Sequence, residues 1–224
     1  MTARPPLRLD AAPLAPVTLS GRLVRLEPLG PGHLDALLAA ASSDPDEAFP
    51  FTYVPRQPAG LARWLDVALE TAAAGAALPF ATIDLGTGRL VGSTRFCNVE
   101  RWSWFDGVLR RPPGGVDAIE IGFTWLARRA QRTGLNTEAK ELMLRHAFET
   151  LGVHRVQLKT DARNLRSRTA IARLGATFEG VLRSDRPSVE DGLRDTAMFS
   201  VVAAEWPGVK ARLANLQAAA GRTP

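Results

Sequence analysis

The order of the predicted elements assigns this chain to the α+β class, with a mixed, mostly antiparallel central sheet of about seven strands flanked by helices. Two observations carry this prediction. Apolar runs at 78–85 and 90–99 are joined by Gly86-Thr87-Gly88-Arg89, a connection typical of a β-hairpin. After the hairpin, strands alternate with helices, and two consecutive strands follow the last of these helices. This order predicts a sheet with both parallel and antiparallel pairs. A chain of 224 residues with no internal repeat is expected to form one domain.

Local patterns predict the remaining elements. Alternation at 23–29 predicts a strand that ends at Gly30-Pro31-Gly32. Apolar residues recur every three or four positions between Thr137 and Thr150, which predicts an amphipathic helix that ends at Gly152. The other expected elements are helices at 33–41, 59–74, 164–174 and 205–220, and strands at 117–126, 154–160, 176–182 and 194–202.

Composition narrows the functional class. Cys97 is the only cysteine, which excludes an internal disulfide and a thiolate metal cluster and suits a reducing, cytoplasmic compartment. His33, His146 and His154 lack neighbouring ligands, so we expect no metal site. Residues 1–20 are rich in Pro and Ala, and we interpret them as a loose tail without a signal peptide or membrane span.

The formal charge of +5 comes mainly from arginine, since Lys140, Lys159 and Lys210 are the only lysines. A solvated basic surface is one interpretation. A nucleic-acid-binding module is another, although the sequence contains no recognised nucleic-acid motif. A third interpretation is local, because one short region is crowded with cations that suit a polyanionic cofactor: Arg155, Lys159, Arg163, Arg166, Arg168 and Arg173.

The segment Gln131–Ala139 predicts an anion-binding helix start. The apolar strand at 117–126 leads through a glycine-containing turn directly into a helix, so free backbone N–H groups and the positive end of the helix dipole meet near Gly134. Pyrophosphate is a common ligand of such a turn. Gly134 permits a close backbone approach, and Asn136 or Thr137 is expected to cap the helix. An ordinary strand-to-helix loop fits the same spacing.

Several motifs together resemble the GCN5-related N-acetyltransferase (GNAT) superfamily. Its signature Gln/Arg-x-x-Gly-x-Gly/Ala is matched by Gln131 and Gly134, with Asn136 at the last position. Other matches resemble the branch of RimJ/RimL-like ribosomal-protein alanine N-acetyltransferases, and they lie at 120–123, 137–139, 146–148, 161–167, 174–176 and 179–183.

The resemblance implies the GNAT fold, acetyl-CoA as co-substrate and no metal. It implies that Asn164 contacts the pantetheine arm and that Ser167 protonates the departing thiolate, while Asn164 also suits the N-cap of a helix. The matches imply these cofactor-binding residues: Phe123, Thr124, Trp125, Gln131, Arg132, Thr133, Gly134, Leu135, Asn136, Thr137, Asn164 and Ser167.

Glu120 is the first candidate for a catalytic base. In a regular strand it shares a face with Gly122 and Thr124, whereas four apolar residues occupy the other face: Ile119, Ile121, Phe123 and Trp125. An amine must lose a proton before it attacks a thioester, and Glu120 can accept that proton directly or through water. Asp185, in the loop expected after Arg183, is the second candidate. A surface glutamate without a chemical role is the alternative.

The catalytic prediction uses no covalent enzyme intermediate. A backbone N–H within 123–126 is expected to stabilise the negative charge that develops on the thioester oxygen. Cys97 has no paired histidine and is expected in the core. Trp102, Trp104 and Phe105 are expected either to line the acceptor cleft or to pack back on the domain.

Three functional classes stay open. They are an N-acetyltransferase that works by direct attack in a ternary complex, a non-catalytic CoA-binding protein of the same fold, and a basic nucleic-acid-binding module. We expect a tail at 1–20, one acetyltransferase domain at 21–213 and a helix end and tail at 214–224. The acceptor can be a ribosomal or other protein N-terminus, a polyamine, an amino acid or an aminoglycoside-like amine. A homodimer is common among the proteins that this chain resembles.

Overall fold

The sheet is the centre of the fold. The computed structural model describes residues 12–43, 49–103, 114–190 and 192–220. In these ranges the strands form one eight-stranded sheet in the order β1-β2-β3-β4-β5-β6-β8-β7, in which only the β5–β6 pair is parallel. The strands are β1 Leu19–Ser20, β2 Val24–Pro28, β3 Leu78–Asp84, β4 Arg89–Glu100, β5 Ala118–Leu126, β6 Arg155–Asp161, β7 Thr177–Pro187 and β8 Leu193–Val202. The predicted α+β class and mixed sheet are confirmed; the sequence pattern missed β1.

Helices cover both faces of the sheet. They are α1 Leu34–Ser42, α2 Pro58–Ala73, α3 Leu135–Arg145, α4 Leu165–Leu174 and α5 Trp206–Ala220. Residues of α1 and α2 pack with Trp125 on what we call the α1/α2 face. Residues of α3, α4 and α5 pack with Ile119 and Ile121 on the α3 face. Among the described residues, every helix is too short or too polar to cross a bilayer.

A buried carboxylate fixes the start of α3 against β2. Glu138 accepts hydrogen bonds from the backbone N–H groups of Arg22, Leu23 and Val24, at 3.0, 2.6 and 2.8 Å. A Cβ at Gly21 would lie 2.5 Å from the Glu138 carboxylate, so only glycine leaves room there. Because a buried carboxylate without partners is strongly unfavourable, these bonds hold the first turn of α3 in place.

A β-bulge interrupts β5. The register between β4 and β5 shifts between Ser93 and Arg95, so that Thr94 alone faces both Phe123 and Thr124. The backbone of Phe123 is in the left-handed region, with φ of +50°. The bulge therefore breaks the regular alternation of side chains at this point.

The predicted alternation along β5 is wrong beyond Gly122, because the extra residue shifts the two-residue period. Thr124 lies on the α3 face, where its Oγ1 is 2.5 Å from Nζ of Lys140, whereas Trp125 packs on the α1/α2 face. Phe123 was expected on the apolar face with Ile119 and Ile121, but its side chain is 53% exposed.

The sheet opens between β5 and β6. These strands pair only between Ala118–Glu120 and Arg155–Gln157. Beyond Glu120, β5 stays paired with β4 and β6 stays paired with β8. A gap therefore separates the two parallel strands toward their C-terminal ends.

Two chain segments differ from the expected element bounds. Strand β7 continues to Pro187, five residues beyond its expected end, so Asp185 lies within a strand and not in a loop. The register with β8 shifts between Leu182 and Arg186, next to Ser184 with φ of +49°. Residues before position 20 also contact the domain, since three side chains pack against the α3-face core: Leu14, Val17 and Leu19.

Candidate active site

The turn before α3 has the geometry of an anion site. Gly134 is the N-cap of α3 with φ of +87°, and Arg132 is left-handed too, with φ of +64°. The Glu138 N–H donates to the Gly134 carbonyl at 3.1 Å, so the N–H groups of the three residues between them have no helix carbonyl to bond. These groups and the helix dipole attract an anion to residues 134–137.

The predicted caps of α3 are wrong. The helix begins at Leu135, so Asn136 and Thr137 lie inside its first turn and no side chain caps it. The hydroxyl of Thr137 instead accepts a hydrogen bond from Nη2 of Arg173 at 3.0 Å. Arg173 therefore adds a positive charge beside the free N–H groups.

The six cations noted in the sequence do not form one cluster. Arg166 and Arg173 reach the turn, and Arg166 donates to Oε1 of Gln131 at 3.1 Å. Arg168 donates to the carbonyl of Ala162. The other three form ion pairs elsewhere: Arg155 with Glu179, Lys159 with Glu120, and Arg163 with Asp161 and Glu190.

The start of α4 lies beside the same turn. Oδ1 of Asn164 accepts the N–H of Ser167 at 3.0 Å, which confirms Asn164 as the N-cap. The bond between Arg166 and Gln131 ties this helix start to the turn after β5. Both predicted cofactor segments, 131–137 and 164–167, thus meet where β5 and β6 have separated.

Glu120 is buried, with 5% of its surface exposed. Its Oε2 lies 2.9 Å from Nζ of Lys159 and accepts a hydrogen bond from Nδ2 of Asn98 at 2.5 Å. A Cβ at Gly122 would lie 2.8 Å from Oε1, so the missing side chain makes room for the carboxylate. The alternative of an exposed surface glutamate is excluded by this burial.

The two predicted carboxylates have different surroundings. Asp185 pairs with its neighbour Arg186 at 2.8 Å. Lys159 interacts electrostatically with Asp185 and pairs with Glu120 in direct contact. Glu120 lies on a central strand next to the gap, whereas Asp185 lies on the edge strand β7.

Cys97 is a core residue, as predicted. It pairs with Glu120 across the two strands and is 6% exposed. Burial, together with the negative charge of Glu120, raises the pKa of its thiol to about 12. The thiol therefore stays protonated at neutral pH and is a poor nucleophile.

Lys140 is a buried lysine near the site that the sequence pattern does not predict. Its Nζ lies 3.1 Å from Oγ1 of Thr94 and 2.5 Å from Oγ1 of Thr124, directly beneath the β-bulge on the α3 face. Burial lowers the pKa of Lys140 to about 7. Helix α3 is buried on nearly all sides from Leu135 to Leu144, and nothing in the local pattern distinguishes this lysine from an exposed one.

Aromatic residues from the segment before α2 and from the segment after β4 pack in different places. Phe49 makes an edge contact with Trp125, with ring centroids 5.8 Å apart, and the Arg163 guanidinium lies over Phe51 at 5.5 Å. Trp102 stacks on His154 at 5.7 Å, near the start of β6, and thus packs back on the domain. Trp104 and Phe105 lie outside the described residues.

Comparison with known proteins identifies the family. The family model described as the acetyltransferase (GNAT) domain matches residues 23–177. The chain belongs to the GNAT acetyltransferase family. The resemblance noted in the sequence is thereby confirmed, and the fold is that of this family.

Individual relatives agree with this assignment. YdaF of Bacillus subtilis, provisionally named a ribosomal N-acetyltransferase, is 33% identical over 91 residues, which are 41% of this chain and 49% of YdaF. The chain thus spans about half the length of that curated relative. A GCN5-related N-acetyltransferase from Brucella melitensis is 30% identical with a TM-score of 0.78, covering 93% of this chain and 88% of that one.

A more distant solved structure shares the fold. RimJ of Mycobacterium smegmatis, in complex with CoA-disulfide, is 24% identical with a TM-score of 0.73, covering 92% of this chain and 96% of that one. At that identity the likeness concerns the fold alone.

The residues of this chain fit the shape and charge of a coenzyme A ligand. The free N–H groups at 135–137 and the neighbouring Arg166 and Arg173 suit a pyrophosphate, and the gap between β5 and β6 suits a narrow arm. The gap runs from this turn to Glu120, which is the last residue of β5 that pairs with β6.

Proposed function

We propose that this protein is an acetyl-CoA-dependent N-acetyltransferase that acetylates a primary amine by direct attack in a ternary complex. One observation carries the proposal: the anion-binding turn and the buried Glu120 lie at the two ends of one gap between β5 and β6. We assign the activity to a single domain at 21–213, extended at its N-terminal side by β1 at Leu19–Ser20. We include the N-terminus of a ribosomal protein among the acceptors, since YdaF is named a ribosomal N-acetyltransferase.

The proposed cofactor contacts follow the geometry of the gap. Backbone N–H groups at 134–137 bind the pyrophosphate, and Gln131, Arg132 and Thr133 form the turn that presents them. The backbone edge of β5 at 123–125, which is not paired with β6, and the amide of Asn164 border the arm. Acetyl-CoA supplies the acetyl group as a thioester, which a neutral amine can attack.

We assign the base, the donor to the oxyanion and the proton donor to the thiolate to residues that border the gap. Glu120 accepts the proton of the incoming ammonium, directly or through water, while Lys159 and Asn98 hold its carboxylate in place. The backbone N–H at the Phe123 bulge, which the bulge removes from the regular ladder, donates to the oxygen that gains negative charge. Ser167 donates its hydroxyl proton to the departing thiolate and regains one from the proton that the attacking nitrogen releases as the amide forms. Asp185 remains the second candidate for the base.

A two-stage experiment tests the proposal. Acetyl-CoA at about 100 times its Kd should stabilise the folded protein by about 2.7 kcal/mol, which raises Tm by several degrees. Incubation with acetyl-CoA and a panel of amines should then give an acetylated product by mass spectrometry. A thermal shift without any product would favour the non-catalytic CoA-binding alternative, and the absence of both would exclude the cofactor assignment.

A further inference from the structure

Arg95 lies on the same face of the sheet as Glu120. Arg95 pairs with Gly122 across β4 and β5, and Cys97 pairs with Glu120, so all four residues point to the α1/α2 face. The contact between the Glu120 carboxylate and the Cβ position of Gly122 confirms this placement. Arg95 and Glu120 are thus neighbours on this face, one same-face step apart, which is about 7 Å along a strand.

The Arg95 guanidinium is buried between two aromatic rings. It lies 4.2 Å from the ring centroid of Phe123 and 5.0 Å from that of Trp64. Only 4% of Arg95 is exposed, whereas the Phe123 side chain is half exposed. The two rings hold the planar guanidinium beside the bulge.

No hydrogen-bond acceptor of the described chain satisfies this guanidinium. Nε and Nη2 of Arg95 are buried and have no partner among the described residues. Two neighbouring cations, unlike Arg95, have carboxylate partners: Lys159 pairs with Glu120, and Arg186 pairs with Asp185. Nε of Arg194, which interacts electrostatically with Glu120 and Asp185, is also buried without a partner in the described residues.

A buried guanidinium without an anion is energetically unfavourable. Burial lowers the pKa of Arg95 below its usual value, which reflects the cost of keeping this charge away from water. Contacts with aromatic rings offset part of that cost but satisfy no N–H group. An incoming carboxylate would both neutralise the charge and accept the unsatisfied hydrogens.

We propose that Arg95 binds a carboxylate of the acceptor, so that this enzyme prefers amines that carry an acidic group close to the reacting nitrogen. The inference rests on the proposed function and narrows its acceptor class. A free amino acid supplies such a carboxylate next to its amine, and a peptide N-terminus supplies it through an Asp or Glu at the second position. Polyamines and aminoglycoside-like amines lack one and become poor acceptors.

Matched acceptor pairs test this inference in the unmodified enzyme. One pair is a peptide beginning Ala-Glu and the same peptide beginning Ala-Gln; the other is a free amino acid and its amide. The acidic member of at least one pair should have a kcat/KM higher by about tenfold or more, mainly through KM. The pair that shows the difference identifies the source of the carboxylate. Equal kcat/KM values within both pairs, or a preference for polyamines, would overturn the inference while leaving the acetyltransferase activity established.

Variants of Arg95 link the preference to this residue. Arg95→Met should lower kcat/KM for the acidic acceptor by about tenfold or more and change the neutral acceptor by no more than about threefold. Arg95→Lys should lose part of the preference, because lysine lacks the planar fork. Arg63→Met, a control at an exposed residue beside Trp64 in sequence, should keep it.

A binding measurement gives a second readout that is independent of turnover. Calorimetric titration of the protein with the Ala-Glu peptide should give a Kd at least about tenfold lower than with the Ala-Gln peptide, and Arg95→Met should remove the difference. An equal loss of both acceptors in Arg95→Met, with the protein still folded by circular dichroism, would assign Arg95 to the structure of the bulge and contradict the proposal. If no amine at all is acetylated, the proposed function fails first.

Discussion

The carboxylate of Glu120 and the ammonium of Lys159 form an ion pair of 2.9 Å in which both side chains are largely buried. The pair joins the two central parallel strands where the sheet begins to open. A carboxylate held in this way has a fixed position next to the gap. Asn98 adds a hydrogen bond to the same oxygen, Oε2. This arrangement makes Glu120 the better-placed of the two candidate bases.

Glu120→Gln should lower kcat by about 10²- to 10⁴-fold at pH 7, because the amine then has no positioned base. The defect should shrink as the pH rises through the acceptor pKa, which is about 8 for an α-amine, since the amine then deprotonates in solution. The pH–rate profiles of both proteins measure this. Asp185→Asn is the matched control, and a larger loss in that variant would transfer the role of base to Asp185.

Gly122→Ala should reduce acetylation strongly while the protein still folds. The new Cβ would lie 2.8 Å from Oε1 of Glu120 and 3.1 Å from Sγ of Cys97, so the carboxylate must move. Gly32→Ala is the control, because nothing lies within 4 Å of its Cβ position. Steady-state rates and Tm values separate the two effects, and an active Gly122→Ala enzyme would argue against a precise position for Glu120.

Gly134→Ala should weaken acetyl-CoA binding. Alanine at φ of +87° is strained by about 1 kcal/mol or more and shifts the N–H groups that start α3. Gly75→Ala introduces comparable strain at φ of +67°, away from the turn, and is the matched control. Calorimetry should give a higher Kd for the first variant alone, whereas equal Kd values would contradict the assignment of this turn.

Cys97→Ser should retain acetyl transfer within about threefold, because a thiol with its pKa raised to about 12 by burial contributes no thiolate at neutral pH. Iodoacetamide should likewise fail to inactivate the native enzyme at pH 7.5. Complete loss of activity in a folded Cys97→Ser protein would instead require a covalent role for this thiol.

Lys140 should make stability depend on pH. Its folded pKa of about 7 is lower than the usual 10.5, so the unfolded chain binds more protons between these two values and the free energy of unfolding rises with pH there. Over the whole interval the gain is on the order of 5 kcal/mol. Lys140→Met removes the titrating amine, so its free energy of unfolding in urea should rise less with pH. Thr94 and Thr124 still bond each other at 2.8 Å, which helps the variant to fold. The exposed Lys210→Met variant should follow the wild type, and an unchanged pH dependence in Lys140→Met would refute the shift.

Local patterns were sufficient for most of the fold. The hairpin at 86–89, the helix start near Gly134 and the Asn164 N-cap depend on short-range chemistry, and each is read from neighbouring residues. The candidate active site depends on contacts between distant segments, which such patterns do not contain. One bulge residue placed Thr124 and Trp125 on the faces opposite to those expected. The residues that surround Glu120, Lys140 and Arg95 come from strands and helices distant in sequence, so the burial of these three side chains follows only from the assembled sheet.

Direct transfer of the acetyl group is tested most directly by a single-turnover experiment. The enzyme is loaded with acetyl-CoA, mixed with an acidic amine acceptor, quenched at intervals, and the masses of protein and acceptor are measured together. The acceptor should gain the acetyl group as CoA is released, with no acetylated protein at any time. Accumulation of acetylated protein before product would contradict direct attack, and bound acetyl-CoA without any product would contradict the enzymatic function itself.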